Sequence, residues 1–195
     1  MKEFAILHYT DKHFNDSCFI DATAKSFKGI SEISLLYLTS KTLDLNKCKF
    51  EFTLNFDNWK NRDYLSTDKI WPIFSNRLVD IIKKHDPEFV CFPAKLIDKK
   101  GIEDITNYSV VQISRLSGVV NTDLSIFTRD EFLPVLFSSV KKIVFLENSK
   151  LKPIFRIREF PQVLIISEEL YKDLLKSDLD NLTLTDMKKY NWDYL

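Results

Sequence analysis

Val163-Leu164-Ile165-Ile166-Ser167-Glu168-Glu169-Leu170-Tyr171-Lys172-Asp173-Leu174-Leu175 sets the architecture of this chain: four apolar residues, a serine, then an amphipathic stretch. A short continuous apolar run suits a buried strand, and a serine just before apolar residues at helical spacing suits an N-cap. Glu168 and Glu169 then oppose the positive pole of the helix dipole, while Leu170, Leu174 and Leu175 are expected to face inward. Trp71-Pro72-Ile73-Phe74-Ser75-Asn76-Arg77-Leu78-Val79-Asp80-Ile81-Ile82 repeats the design. There Ser75 is the cap, Leu78, Val79, Ile81 and Ile82 share one face, Lys83 and Lys84 sit at the negative end, and Pro87 stops the helix.

Around these two segments the chain reads mainly as strands. Period-two alternation of Phe50, Phe52, Leu54 and Phe56 marks residues 49–56, and shorter apolar runs mark residues 5–9 and 33–39. Residues 89–97 form a further strand in which Pro93 removes one ladder donor, which argues for an edge position or a bulge. Residues 106–116 are β-branched and end at a turn on Gly118. Residues 129–139 read as a short helix broken near Pro134. Residues 141–146, 153–158 and 162–166 follow at hairpin spacing, and residues 182–184 suggest a last strand. Strands outnumber helices and rarely alternate with them. The expected fold class is therefore α+β, a mixed, mostly antiparallel sheet with two serine-capped amphipathic helices. A length of 195 residues suits a single domain, 1–195. The charged, aromatic stretch 57–68 allows a β-rich N-terminal subdomain, 1–65, ahead of a core, 66–195.

Charge is balanced, 28 basic against 28 acidic residues, so no overall field gathers nucleic acid or an anionic membrane. The expected partners accordingly include neither. The longest apolar runs fall far short of the roughly 20 residues that span a bilayer, and His8 and Asp11 interrupt the N-terminal run before a signal-peptide core forms. Cys18, Cys48 and Cys91 are odd in number and flanked by apolar residues, the pattern of buried thiols in a reducing compartment. A cytoplasmic location is expected.

Three glycines, Gly29, Gly101 and Gly118, cannot build a phosphate loop or a dinucleotide fingerprint. No histidine pair has zinc-protease spacing; His8 and His13 with Cys18 or Asp16 could meet on a metal, but a hydrogen-bonded or solvated role needs fewer assumptions. Ser75 and Ser167 lack the glycines of a nucleophile elbow and are explained as caps. Cys91 has no adjacent base, and the carboxylate pairs Glu103/Asp104, Asp130/Glu131 and Glu168/Glu169 are sequence neighbours that point apart. The expectation is no catalytic, cofactor or metal site. Lys141, Lys142, Lys150, Lys152, Arg156 and Arg158 face only Glu147 and Glu159 over one stretch, a pattern that a half-exposed sheet also produces. Trp59, Arg62, Tyr64 and Trp192, aromatic or guanidinium groups set among charges, are the expected partner-binding residues.

An ordered set of elements carries a family resemblance: Pro72-Ile73-Phe74-Ser75-Asn76-Arg77-Leu78, Phe89-Val90-Cys91-Phe92-Pro93-Ala94-Lys95-Leu96, Tyr108-Ser109-Val110-Val111-Gln112-Ile113, Pro153-Ile154-Phe155-Arg156-Ile157, and Ile165-Ile166-Ser167-Glu168-Glu169-Leu170. A serine-led helix, a proline-bearing strand, a tyrosine-led strand, a phenylalanine-arginine strand and a second serine-led helix resemble the immunity proteins of bacterial polymorphic toxin systems, specifically immunity family eleven, formerly a domain of unknown function. The resemblance spans residues 71–184. It implies a bacterial protein that binds and neutralises a cognate toxin, usually encoded beside it, and is not a catalyst. Immunity proteins against nucleases are often acidic, so a net charge of zero lends no support to a nuclease toxin. Two other classes stay open on the sequence: a small enzyme with an inconspicuous carboxylate-based site, and an adaptor that binds another protein.

Overall fold

The computed structural model describes residues 4–9, 22–28, 49–55, 62–67, 72–98 and 104–190. The first strands are β1 (Phe4–Tyr9), β2 (Ala22–Lys28), β3 (Lys49–Leu54), β4 (Tyr64–Leu65) and β5 (Ile73–Ser75), which leads directly into α1 (Asn76–His85). Then come β6 (Val90–Ile97), β7 (Asp104–Gln112), β8 (Arg115–Leu116), β9 (Ile126–Arg129), β10 (Phe137–Lys142), β11 (Ile154–Ile157) and β12 (Phe160–Ser167). The last elements are α2 (Glu168–Leu175) and β13 (Leu182–Asp186). The fold is α+β.

One sheet has the order β13-β1-β12-β11-β8, a second β2-β3-β6-β7-β5-β4, and β9 and β10 form a two-stranded ribbon. Among the described strand ladders only β3 with β6 and β8 with β11 are parallel, joined by an isolated parallel bridge between Ala22 and Thr67. The five-stranded sheet is a middle layer, and that explains the unbroken apolar run from which α2 emerges. Leu164 and Ile166, with Ala5 and Leu7 of β1, join α1 and α2 in one core. Val163 and Ile165, with Ile6, pack on the opposite side against Phe137, Val140 and Ile143. A strand covered on both faces needs apolar residues at every position.

Both serines cap as their sequence context predicts. Ser75 Oγ accepts from the Leu78 amide at 3.2 Å, and Ser167 Oγ from the Leu170 amide at 3.3 Å. Such a cap contributes about 1 kcal/mol. Leu78, Val79 and Ile82 of α1 and Leu170 and Leu174 of α2 are buried between the two larger sheets. Leu175, expected inside, is instead 57% exposed, because it is the last residue of α2 and lies about 100° around the helix from the buried Leu174.

Three further expectations change. Pro93 lies on an interior strand: β6 sits between β3 and β7. Its ladder to β3 begins only at Ala94, so the missing donor falls at the margin of that pairing; the edge alternative falls, while the register shift between Ala94 and Leu96 agrees with the bulge alternative. The helix expected over 129–139 is a β-hairpin, β9 and β10, joined by a turn. Asp130 does cap, its Oδ1 accepting from the Phe132 and Leu133 amides at 2.9 and 2.8 Å, but Pro134 prevents the turn from propagating. Strands from both sides of the 65/66 boundary interleave: β1 pairs with β12 and β13, β3 with β6, and β4 with β5. Residues 1–65 thus form no separate sheet among the described residues. The strand expected over 33–39, Phe56, Cys18 and Cys48 lie outside those residues, and Cys91 is half-buried against the helix core.

Candidate functional site

Of the four expected partner-binding residues, Trp59 and Trp192 lie outside the described residues, and the other two are turned into the fold. Arg62 is buried. With the Asn181 amide oriented to present its oxygen, Arg62 donates to it from Nε at 3.2 Å and Nη1 at 2.9 Å. Its carbonyl accepts from the Tyr108 hydroxyl at 2.8 Å. Asn181 is itself buried with φ at 60°, a left-handed conformation that asparagine tolerates better than most side chains. Tyr64 meets the Phe74 ring edge-on at 5.1 Å and borders the helix core, and burial pushes its phenol pKa up. Arg62 and Tyr64 therefore serve the interior.

Beside them Asp63, also buried, is saturated. Its Oδ1 accepts from Ser75 Oγ at 2.5 Å and Arg77 Nε at 3.1 Å, and its Oδ2 from Arg77 Nη2 at 2.5 Å and the Asp180 amide at 2.8 Å. A carboxylate offers about four lone-pair positions, and all are taken. The hydrogen bond to Asp63 is the first cause raising the Arg77 pKa, while Tyr108 is pushed up to about 12, first by burial and then by the Asp63 charge. The cluster ties the 62–65 segment, the start of α1, β7 and the approach to β13 together. With no lone pair to offer a substrate, it is a lock.

The ribbon on the other side of the middle sheet has the opposite character. Phe127 and Phe137 stack at 3.9 Å, and the Arg129 guanidinium lies over both rings at 5.3 and 5.8 Å. Arg129 Nη1 also donates to the Pro134 carbonyl at 2.8 Å, and the Leu136 amide to the Leu133 carbonyl at 2.7 Å. The turn is thus braced by a cation over rings, a proline and an aspartate cap. It holds Phe132 at 89% exposure, with Leu133 and Val135 also exposed. Leu124, Ile126 and Leu146 complete the set; outside the 124–146 stretch Leu175 is the one other large apolar residue exposed among those described.

Alongside the ribbon runs a groove of about 710 Å³, between the 141–147 stretch and the end of β13. Phe4, Phe145 and Met187 supply apolar lining, and Lys141, Lys142 and Lys188 face Glu147 as its charged groups. Phe145 is anchored edge-on against Phe4 at 5.0 Å and Phe155 at 5.6 Å. Apolar lining with an ammonium border is the chemistry of a contact surface.

The histidines within the described residues have partners. His8 Nε2 lies 3.2 Å from Thr185 Oγ1 and its ring meets Tyr190 edge-on; burial lowers its pKa. His85 Nε2 lies 3.0 Å from Asp173 Oδ2, joining α1 to α2, and this hydrogen bond is the main reason the Asp173 carboxyl falls below its ordinary value. Among the described residues no three histidine, cysteine or carboxylate groups gather as metal ligands, and no helix is long and apolar enough to cross a membrane. No protein-family model matches the chain, and no curated protein matches it in sequence.

The tip residues Phe132, Leu133 and Val135 were missed in the sequence because residues 129–139 read as a short helix broken near Pro134. Nothing in the sequence pairs Phe4 with Phe145, and the groove follows from tertiary packing alone.

Proposed function

We propose that this chain is an immunity protein: it binds a cognate bacterial toxin, encoded beside it, and neutralises it by direct contact in the cytoplasm. The concentration of exposed large apolar side chains on the braced 124–146 stretch carries the proposal. Exposed apolar residues scattered singly are ordinary, but several gathered on one element with an adjoining groove mark an interaction surface. The brace adds weight, because a tip held in one conformation loses little entropy on binding. The ordered resemblance to immunity family eleven names the kind of partner, and the contact residues favoured are Phe132, Leu133 and Val135 with Ile126 and Leu146 at the groove.

Co-expression with the neighbouring toxin tests this. The wild-type chain should restore growth and co-purify with the toxin. Phe132→Ala with Leu133→Ala should weaken the complex by about 2 kcal/mol or more while leaving unfolding within ~0.5 kcal/mol, since neither side chain belongs to a core. Protection without a complex would remove binding as the mechanism, and a complex indifferent to these substitutions would remove the tip as its contact surface.

A further inference from the structure

Residues 143–146 follow β10 and are paired on one side, before the chain turns at Glu147. The Asn121 amide donates to the Val144 carbonyl at 2.8 Å, the Leu146 amide to the Val119 carbonyl at 2.9 Å, and the Val144 amide to Ser125 Oγ at 2.9 Å. Val120 and Phe145 form an antiparallel bridge there. In extended chain the backbone groups of successive residues point to opposite edges, so those of Ile143 and Phe145 point away from this partner. Among the described residues no hydrogen bond engages them. The groove runs along the whole 141–147 stretch, with Met187 and Tyr190 across from it.

A strand edge with unused donors and acceptors, set in a groove with an apolar lining, is a template for one more strand. Charge selects what kind. Lys141 and Lys142 are exposed, neither forms an ion pair among the described residues, and they outnumber Glu147, the one carboxylate among the described residues of the lining. An incoming strand alternates its side chains, so one face can enter the apolar groove while the other meets the ammonium groups. We propose that the groove binds an extended segment of a partner protein in which acidic and apolar residues alternate, added as a strand along the edge formed by Ile143 and Phe145. This rests on the protein-binding function proposed above and assigns it a mode of recognition.

The probe is a fluorescein-labelled synthetic heptapeptide, Asp-Val-Glu-Ile-Asp-Val-Glu, titrated against the full chain by anisotropy. Its controls are the same sequence with lysine for each acid and an acidic version N-methylated at alternate amides, which blocks strand pairing. The acidic peptide should bind at least about tenfold more tightly than either control, and raising salt from ~50 to ~300 mM should weaken it. It should also protect the Ile143 and Phe145 amides from hydrogen exchange. Lys141→Glu with Lys142→Glu, both exposed positions, should abolish the preference with unfolding unchanged. Equal binding of all three peptides, or no protection at either amide, would overturn the proposal. Protection that appears with protein concentration alone, together with a dimer in sedimentation, would assign the edge to a second copy and overturn it too. Should the toxin bind the lysine-reversed variant as tightly as the wild type while the Phe132 and Leu133 variant fails, this inference falls and the immunity function stands.

Discussion

Asp63→Asn is the most discriminating single substitution in the interior. The side chain keeps its shape, but its amide oxygen can satisfy only two of the four donors now aimed at the carboxylate, from Ser75, Arg77 twice, and the Asp180 amide. The new NH₂ group then faces the other two donors. Hydrogen bonds to a charged group contribute roughly 1.5–3 kcal/mol each, so the gross loss is about 3–6 kcal/mol. Arg77 is 55% exposed and can recover part of its share from water, which brings the expected loss to about 3 kcal/mol. In a chain of this size that corresponds to a fall in Tm of roughly 6–12 °C. The matched control is Arg77→Ala. Removing an exposed side chain opens one side of the carboxylate to solvent, so its cost should stay near ~1 kcal/mol, below that of a sealed, unpaired charge. Urea unfolding followed by circular dichroism measures both. A loss under ~0.5 kcal/mol for Asp63→Asn, or equal losses for the two variants, would show that the cluster is not the lock described above.

The two caps should differ although their sequence contexts match. Ser167→Ala should cost about 1 kcal/mol in the same unfolding assay, and Ser75→Ala about 2, because the Ser75 hydroxyl also donates to Asp63; equal costs would contradict this. Stability should fall on acidification in two steps. His8 is half-buried, and burial holds its pKa below the ordinary 6.5, so the unfolded chain takes up its proton first and stability declines once the pH drops below 6.5. Asp173, held below its ordinary 3.8 by His85, contributes stability above that value and loses it as the pH falls through its folded pKa. His8→Gln should flatten the upper step and Asp173→Asn the lower, read as urea midpoints between pH 3 and 7.5; an unchanged profile in either variant would refute its assignment.

The two serine-led helices and most of the strands were legible because their signals are local: a cap three residues before the amide it serves, alternation in β3, a double-sided apolar run in β12. Where the sequence misled, a true local signal was overruled by its neighbours. Asp130 caps a turn, as an aspartate there should, yet Phe127 and Phe137 stack and draw the flanking residues into a hairpin that no helical pattern could anticipate. Pro93 does lack a ladder donor, yet β3 leaves that position alone. Arg62 and Tyr64 looked like surface anchors because their sequence neighbours are charged. Asp63 is buried with them, and Asn181, 119 residues further along the chain, supplies the partner that lets Arg62 stay inside. A buried polar cluster of this kind is invisible in sequence because its members come from four distant segments.

The middle sheet also separates what holds the molecule together from what it offers to others. Its helix-facing side carries both caps, the His85–Asp173 pair and, through Ser75, the Asp63 cluster. Its other side carries the ribbon, whose rings and arginine brace a turn that leaves Phe132, Leu133 and Val135 exposed. A fold gains nothing from Phe132 at 89% exposure, and each such side chain raises the risk of aggregation. The bracing contacts of Arg129 and Asp130 would be wasted on a loop that only had to connect two strands. On the proposed function, a partner covers both the rigid, apolar, solvent-facing turn and the strand edge beside it. Within residues 124–147 the exposed side chains, Phe132, Leu133 and Val135 of the tip with Lys141 and Lys142, are therefore where substitutions should alter binding while leaving stability almost untouched.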